Sequence, residues 1–159
     1  MRKRKINPQY LRHITAQDVK NEEIAAIDFA NSIKSFTDEY LGGIMELGVD
    51  GYSTGTVNLN LPVSSYLIRL ICECGDFDEV IVARLSLDDD LTLTVNYERV
   101  PPTEDVAHIV RVAKLAGFTV SRRENTLIFK AKIKITSIMQ IYATSSEEFR
   151  EILIRTYKM

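Results

Sequence analysis

The chain has 159 residues, 45% of them apolar and 26% charged, with a formal net charge of −2. That is the balance of one ordinary globular domain, long enough to bury a core unaided, and it excludes wholesale disorder and fibrous repeats. The slight negative charge argues against nucleic acid as a partner, and no stretch approaches the ~20 apolar residues of a membrane-spanning helix.

The opening Arg2-Lys3-Arg4-Lys5 runs into Ile6-Asn7-Pro8 without the apolar stretch of a secretion signal. Residues 1–16 read as a basic N-terminal arm of a single domain spanning 1–159. From Gln17 to Leu47, apolar residues at Ile27, Ala30, Ile33, Phe36, Tyr40, Ile44 and Leu47 are spaced three or four apart, which predicts a long amphipathic helix that Gly42-Gly43 breaks or kinks. Gly48 to Gly55 reads as a glycine-spaced loop closing this helical segment of residues 17–55.

Residues 56–159 read as an α/β sandwich. Thr56 to Leu61 predicts a short strand, and Pro62 with Ser64 or Ser65 opens a helix bearing Leu67, Ile68, Ile71 and Cys74 that ends at Gly75. Cys72 and Cys74 lie two apart on that helix and point away from each other, so neither a disulfide nor shared metal ligation is expected. Reduced thiols and the missing signal favour the cytoplasm. Ile81, Ala83, Leu85 and Leu87, then Leu91, Leu93, Val95 and Tyr97, alternate with polar residues about Asp88-Asp89-Asp90, the pattern of a hairpin with one buried face. The acidic turn lacks the interspersed ligands of a calcium loop and reads as a solvated turn.

Pro101-Pro102-Thr103 starts a helix with Glu104 and Asp105 at its positive end and Val106, Ile109, Val110 and Ala113 on its apolar side; Gly117 stops it. Phe118–Ser121 and Thr126–Ile135 predict a second hairpin about Arg122-Arg123-Glu124-Asn125, with Leu127, Phe129, Ala131, Ile133 and Ile135 facing inward. Ser145-Ser-Glu-Glu148 has capping-box spacing before a last helix carrying Phe149, Ile152, Leu153 and Thr156. The expected fold is α+β: a two-layer sandwich with a mostly antiparallel sheet, helices on one face, and an N-terminal helical segment.

From about Leu61 to Ile135, half the chain, the order of elements resembles the ATP-binding domain of sensor histidine kinases and anti-sigma-factor kinases. The likeness lies in Leu67-Ile-Arg-Leu-Ile71, Val80-Ile-Val-Ala-Arg-Leu85, Leu91-Thr-Leu-Thr-Val95, the helix from Asp105 to Val120 with its turn, and Asn125-Thr-Leu-Ile-Phe129. The resemblance implies a Glu and, four residues on, an Asn on the first helix, and none stands between Pro62 and Gly75. It also implies an Asp-x-Gly-x-Gly loop that reads adenine, where this chain has Val95-Asn-Tyr-Glu-Arg-Val-Pro-Pro102. The glycine-rich lid is replaced by Pro101-Pro102-Thr103. On this resemblance the ATP site is lost, no cofactor is expected, and the chain is a regulatory or protein-interaction module with no complete catalytic motif. A ferredoxin-like order remains an alternative, as an enzyme or small-ligand module.

Two clusters are candidates for chemistry or contact. His108 with Glu104 at i, i+4 has the spacing of an acid/base pair, against the blander reading of a surface histidine near an acidic helix start. Lys130, Lys132 and Lys134 share one strand face and, with Arg122 and Arg123, suggest a basic stripe for an acidic partner or, weakly, for nucleic acid; a solubilising outer face is the bland reading. The N-terminal helix is a candidate homo-oligomeric seam, packing on its own domain being the alternative.

Overall fold

The computed structural model describes residues 20–135. The basic arm before Lys20 and the expected C-terminal helix around Ser145–Thr156 lie outside the described residues.

The first surprise is a strand, β1 (Glu22–Ala25), ahead of the first helix, α1 (Ala26–Tyr40). The helix stops there, and Gly43 takes a positive φ of 82° in the turn that follows. Its expected continuation to Leu47 is instead β2 (Met45–Gly51), and the first half of the expected Gly48–Gly55 loop is strand. The sequence was ambiguous here for a physical reason. Leu47 satisfies both the helical spacing and the alternation in which Met45 and Leu47 are buried while Glu46 and Gly48 are exposed. A parallel ladder with a later strand, which no local pattern announces, decides between them.

Next come β3 (Thr56–Leu59) and α2 (Leu61–Glu73). The cap of α2 is Asn60 rather than a serine: its side-chain oxygen accepts from the Val63 N–H at 2.8 Å, with Pro62 inside the first turn. The same side chain donates to the Lys20 carbonyl at 2.8 Å, tying the chain entry to the helix start. The hairpin of β4 (Ile81–Leu87) and β5 (Asp90–Asn96) follows about the acidic turn as expected.

Then α3 (Thr103–Ala116) begins behind Pro102 and ends at Gly117 in the left-handed region, φ 108°. A Cβ at Gly117 would stand 2.8 Å from the Asn58 carbonyl oxygen, so both conformation and space demand glycine. The second hairpin, β6 (Thr119–Arg123) and β7 (Thr126–Lys132), turns through Glu124, at φ 56°, and Asn125.

Five strands form one sheet in the order β2-β4-β5-β7-β6, parallel between β2 and β4 and antiparallel elsewhere; β1 and β3 make a separate antiparallel pair. The sandwich expected from the sequence is therefore present, with a mostly antiparallel sheet. The ferredoxin-like alternative fails because it requires the strand before α2 to join the main sheet, whereas β3 pairs with β1 and meets the β7 end only through a bridge from Thr56 to Lys134.

Alternation decides which face is covered. Ile81, Ala83, Leu85, Leu91, Leu93, Val95, Leu127, Phe129 and Ala131 are buried under the helices, while Val82, Arg84, Lys130 and Lys132 look out from the open face. Ile133 is buried but Ile135 is 55% exposed, which corrects the expectation that the inward run reaches it. Phe118 links the layers, meeting Phe29 of α1 and Phe129 of β7 edge-on at 6.2 and 6.3 Å. Ala26, Phe29, Ala30 and Ile33 put the apolar side of α1 into this same core. These four residues pack on the helix's own domain, while Tyr40 at the end of α1 stays exposed.

Candidate functional site

The strand β5 delivers the chain to the stretch where the sequence resemblance implies a nucleotide-reading loop. Its next residue, Tyr97, is 1% exposed. The ring turns inward because Tyr97 continues the buried parity of Leu91, Leu93 and Val95, and its hydroxyl donates to the Ile71 carbonyl of α2 at 2.6 Å. The Tyr97 N–H donates to the Asn125 carbonyl at 3.0 Å, and the Asn125 side-chain amide donates back to the Tyr97 carbonyl. Tyr97 thus ties β5 to α2 and to the β6–β7 turn. Burial above all, reinforced by Cys74, Cys72, Glu79 and Asp105 nearby, pushes the phenol far above its ordinary range and keeps it a donor.

A second tie runs beside it. Glu79, in the turn between α2 and β4, is 3% exposed. One carboxylate oxygen accepts from the Asp76 N–H at 2.8 Å and the other from the Glu98 N–H at 2.8 Å. A buried carboxylate needs partners of this kind, and two backbone donors bind it strongly while fixing both loops. Arg99 closes the same junction from outside, Nη1 meeting Asp76 Oδ2 at 2.9 Å. Gly75 leaves room for it, since a Cβ there would stand 2.7 Å from Ile81 Cδ1 and 3.2 Å from Glu79 Oε1.

Neither residue is visible from sequence as a functional group. Glu79 sits in Asp76-Phe-Asp-Glu79, a run for which the sequence offers no motif, and Tyr97 reads as one more core residue of a strand. Only the hydrogen bonds distinguish them.

The residues singled out from sequence fall elsewhere. Glu104 and His108 are both exposed on α3, and no hydrogen bond or ion pair joins them among the described residues. Lys130 and Lys132 stand on the open sheet face, Lys130 opposite Thr92 and Lys132 opposite Asp90. Arg123, paired with Thr126, shares that face; Arg122, paired with the buried Leu127, points to the other side. Lys132 and Lys134 border a groove of about 520 Å³ with Glu23, Thr56 and Asn58. Cys72 and Cys74 are buried and form no disulfide. No group of three or more His, Cys, Asp or Glu side chains that could hold a metal ion occurs among the described residues. No helix among them is long and apolar enough to cross a membrane.

No family model and no curated protein matches the sequence. The chain weakly resembles histidine-kinase catalytic domains. The cytoplasmic segment of the histidine kinase QseC is 16% identical, aligning 81% of this chain with 88% of its own at a TM-score of 0.43. The catalytic domain of the histidine kinase ThkA is 11% identical over 72% of this chain and 96% of its own, TM-score 0.46. The Acinetobacter baumannii histidine kinase AdeS is 14% identical over 74% and 68%, TM-score 0.42.

Proposed function

We propose that this chain is a non-catalytic regulatory module that works through protein contacts, on a kinase-type ATPase scaffold whose nucleotide site is closed. The observation that carries the reading is the seat of Tyr97. In the stretch where the resemblance implies a carboxylate and glycines approaching adenine, a buried phenol reaches across to the Ile71 carbonyl, and Glu79 holds the Glu98 N–H beside it. The absence of the paired Glu and Asn from Leu61–Glu73 and of any glycine from Val95 to Pro102 supports the same reading. A cytoplasmic location belongs to this proposal.

The test is thermal unfolding with 5 mM ATP or ADP, with and without magnesium. A ligand present at a hundred times its Kd stabilises the native state by about 2.7 kcal/mol, a shift of several degrees for a domain of this size. The proposal expects no shift with either nucleotide. A magnesium-dependent rise in Tm would refute it.

Within this reading the stripe of Lys130, Lys132 and Lys134, with Arg123 on the same face and Arg122 at the sheet edge, is a contact surface for an acidic protein. Its support is exposure: Lys130, Lys132 and Arg123 project from the sheet face that no described helix covers, and Lys134 and Arg122 are exposed beside it. Changing the three lysines to glutamine should leave the fold intact and weaken binding of a poly-glutamate peptide at least fivefold; unchanged binding would remove this surface.

A further inference from the structure

The junction that closes the site also builds a surface. Eight large apolar side chains are prominently exposed among the described residues, and four of them gather at this end of the sheet: Phe77 at 55%, Val80 at 43%, Val82 at 51% and Val100 at 42%. Phe77 and Val80 belong to the turn before β4, Val100 to the loop after β5. These are separate stretches of chain, and Glu79 holds them together through the N–H groups of Asp76 and Glu98, as does the Arg99–Asp76 ion pair. Val82 continues the line from Val80 onto the open face, opposite Asn96. Scattered single hydrophobics are ordinary on a surface; a group of four, fixed in place from below by a buried carboxylate, is not.

The charges around the two loops are mostly acidic, Glu46 stands opposite Val82, and the cation that follows Val82 on the open face, Arg84, meets Asp50 at 3.5 Å. Asp78 and Glu98 are exposed beside Phe77 and Arg99, and the only cation of the two loops, Arg99, is already paired with Asp76. An acidic border repels anionic lipid and nucleic-acid phosphates alike, and it attracts cationic side chains. Apolar side chains inside an acidic border complement a segment that carries leucine- or phenylalanine-like anchors flanked by lysine or arginine. The pinned loops lower the ordering cost of such a contact.

We infer that the face formed by Phe77, Val80, Val82 and Val100, bordered by Asp78 and Glu98, is the docking surface for a basic amphipathic segment of a protein partner. This rests on the reading of the chain as an interaction module and names the surface and the chemistry of what it takes.

The probe is a fluorescein-labelled 14-residue peptide of leucine and lysine with helical amphipathic spacing, titrated by anisotropy at 150 mM salt, beside the same peptide with glutamate for lysine. The lysine peptide binds at this face and the glutamate peptide does not, any binding of the latter being confined to the lysine stripe. Affinity falls at least tenfold in the F77S/V100S double variant and at least fivefold in D78K/E98K. These side chains are exposed, so both variants keep the wild-type amide spectrum away from the substituted loops. Amide shifts induced by the peptide map to residues 76–82 and 96–100. Equal affinity for wild type and both variants, lysine-peptide shifts that map elsewhere, or glutamate-peptide shifts of equal size at residues 76–82 and 96–100 would overturn the assignment. So would a concentration-dependent dimer that F77S/V100S dissolves, since the face would then serve a second copy. Nucleotide binding would remove the module reading itself, whereas no nucleotide binding with no peptide binding removes this surface alone.

Discussion

Glu79 and Glu98 are joined in an unusual way for two acidic residues: the buried carboxylate of the first accepts the backbone N–H of the second at 2.8 Å. The side chain of Glu98 takes no part, so like charges are kept apart while the two loops are clamped. The clamp carries the first prediction. Replacing Glu79 by alanine orphans the N–H groups of Asp76 and Glu98, and replacing it by glutamine points an amide N–H₂ at one of them. Each variant should lose roughly 2–4 kcal/mol, the cost of removing hydrogen bonds to a buried charged group. Urea denaturation with an unchanged m-value checks it.

Tyr97 makes a prediction in pH as well as in stability. Removing its hydroxyl in Tyr97→Phe leaves the Ile71 carbonyl without that donor and should cost about 1–2 kcal/mol at neutral pH. Because burial raises the phenol above its ordinary value of 10.0, the unfolded chain gives up this proton first as pH rises. The unfolded state then binds fewer protons than the native state, so the contribution is complete below pH ~10 and declines above it. Comparing wild type with Tyr97→Phe cancels the other tyrosines and the lysines. The stability difference between them should narrow above pH 10, as measured by denaturant midpoints.

Much of this arrangement was legible beforehand. Both hairpins, the helix behind Pro101-Pro102 and its stop at Gly117 all follow from alternation, proline placement and glycine, which act over a few residues. The resemblance carried by Leu67–Ile71 and Val80–Leu85 was legible too. What escaped was non-local. The edge strand β2 depends on a parallel ladder with β4 some thirty residues on, and its Met45-Glu-Leu47 pattern is too short to beat a helical reading. β1 depends on β3, and the functional meaning of Glu79 and Tyr97 depends on which backbone groups they meet. Asn60 was hidden for a simpler reason: Ser64 and Ser65 are good cap residues, and they stand one turn too late.

Asn60 supplies a third prediction. Its side chain caps α2 through the Val63 N–H and also holds the Lys20 carbonyl. Asn60→Ala should cost about 1–2 kcal/mol, the upper part of the range for a lost cap, and Asn60→Asp, which keeps the acceptor but not the amide donor, should recover part of it. Thermal melts of the three proteins make the comparison.

Gly117 supplies a fourth. With φ at 108° and the Asn58 carbonyl oxygen 2.8 Å from where a Cβ would stand, Gly117→Ala combines backbone strain with a clash against β3. A loss of at least about 1–3 kcal/mol is expected. Hydrogen exchange should show the loss concentrated at the α3 end and in the β1–β3 pair.

The most direct measurement is calorimetric titration of the purified protein with ATP and ADP, with and without magnesium, repeated on Tyr97→Gly. If Tyr97 and the Glu79 clamp close the site, wild type gives no binding heat up to millimolar nucleotide. Saturable micromolar binding by wild type, dependent on magnesium, would mean that a working pocket persists around these residues and would contradict the account.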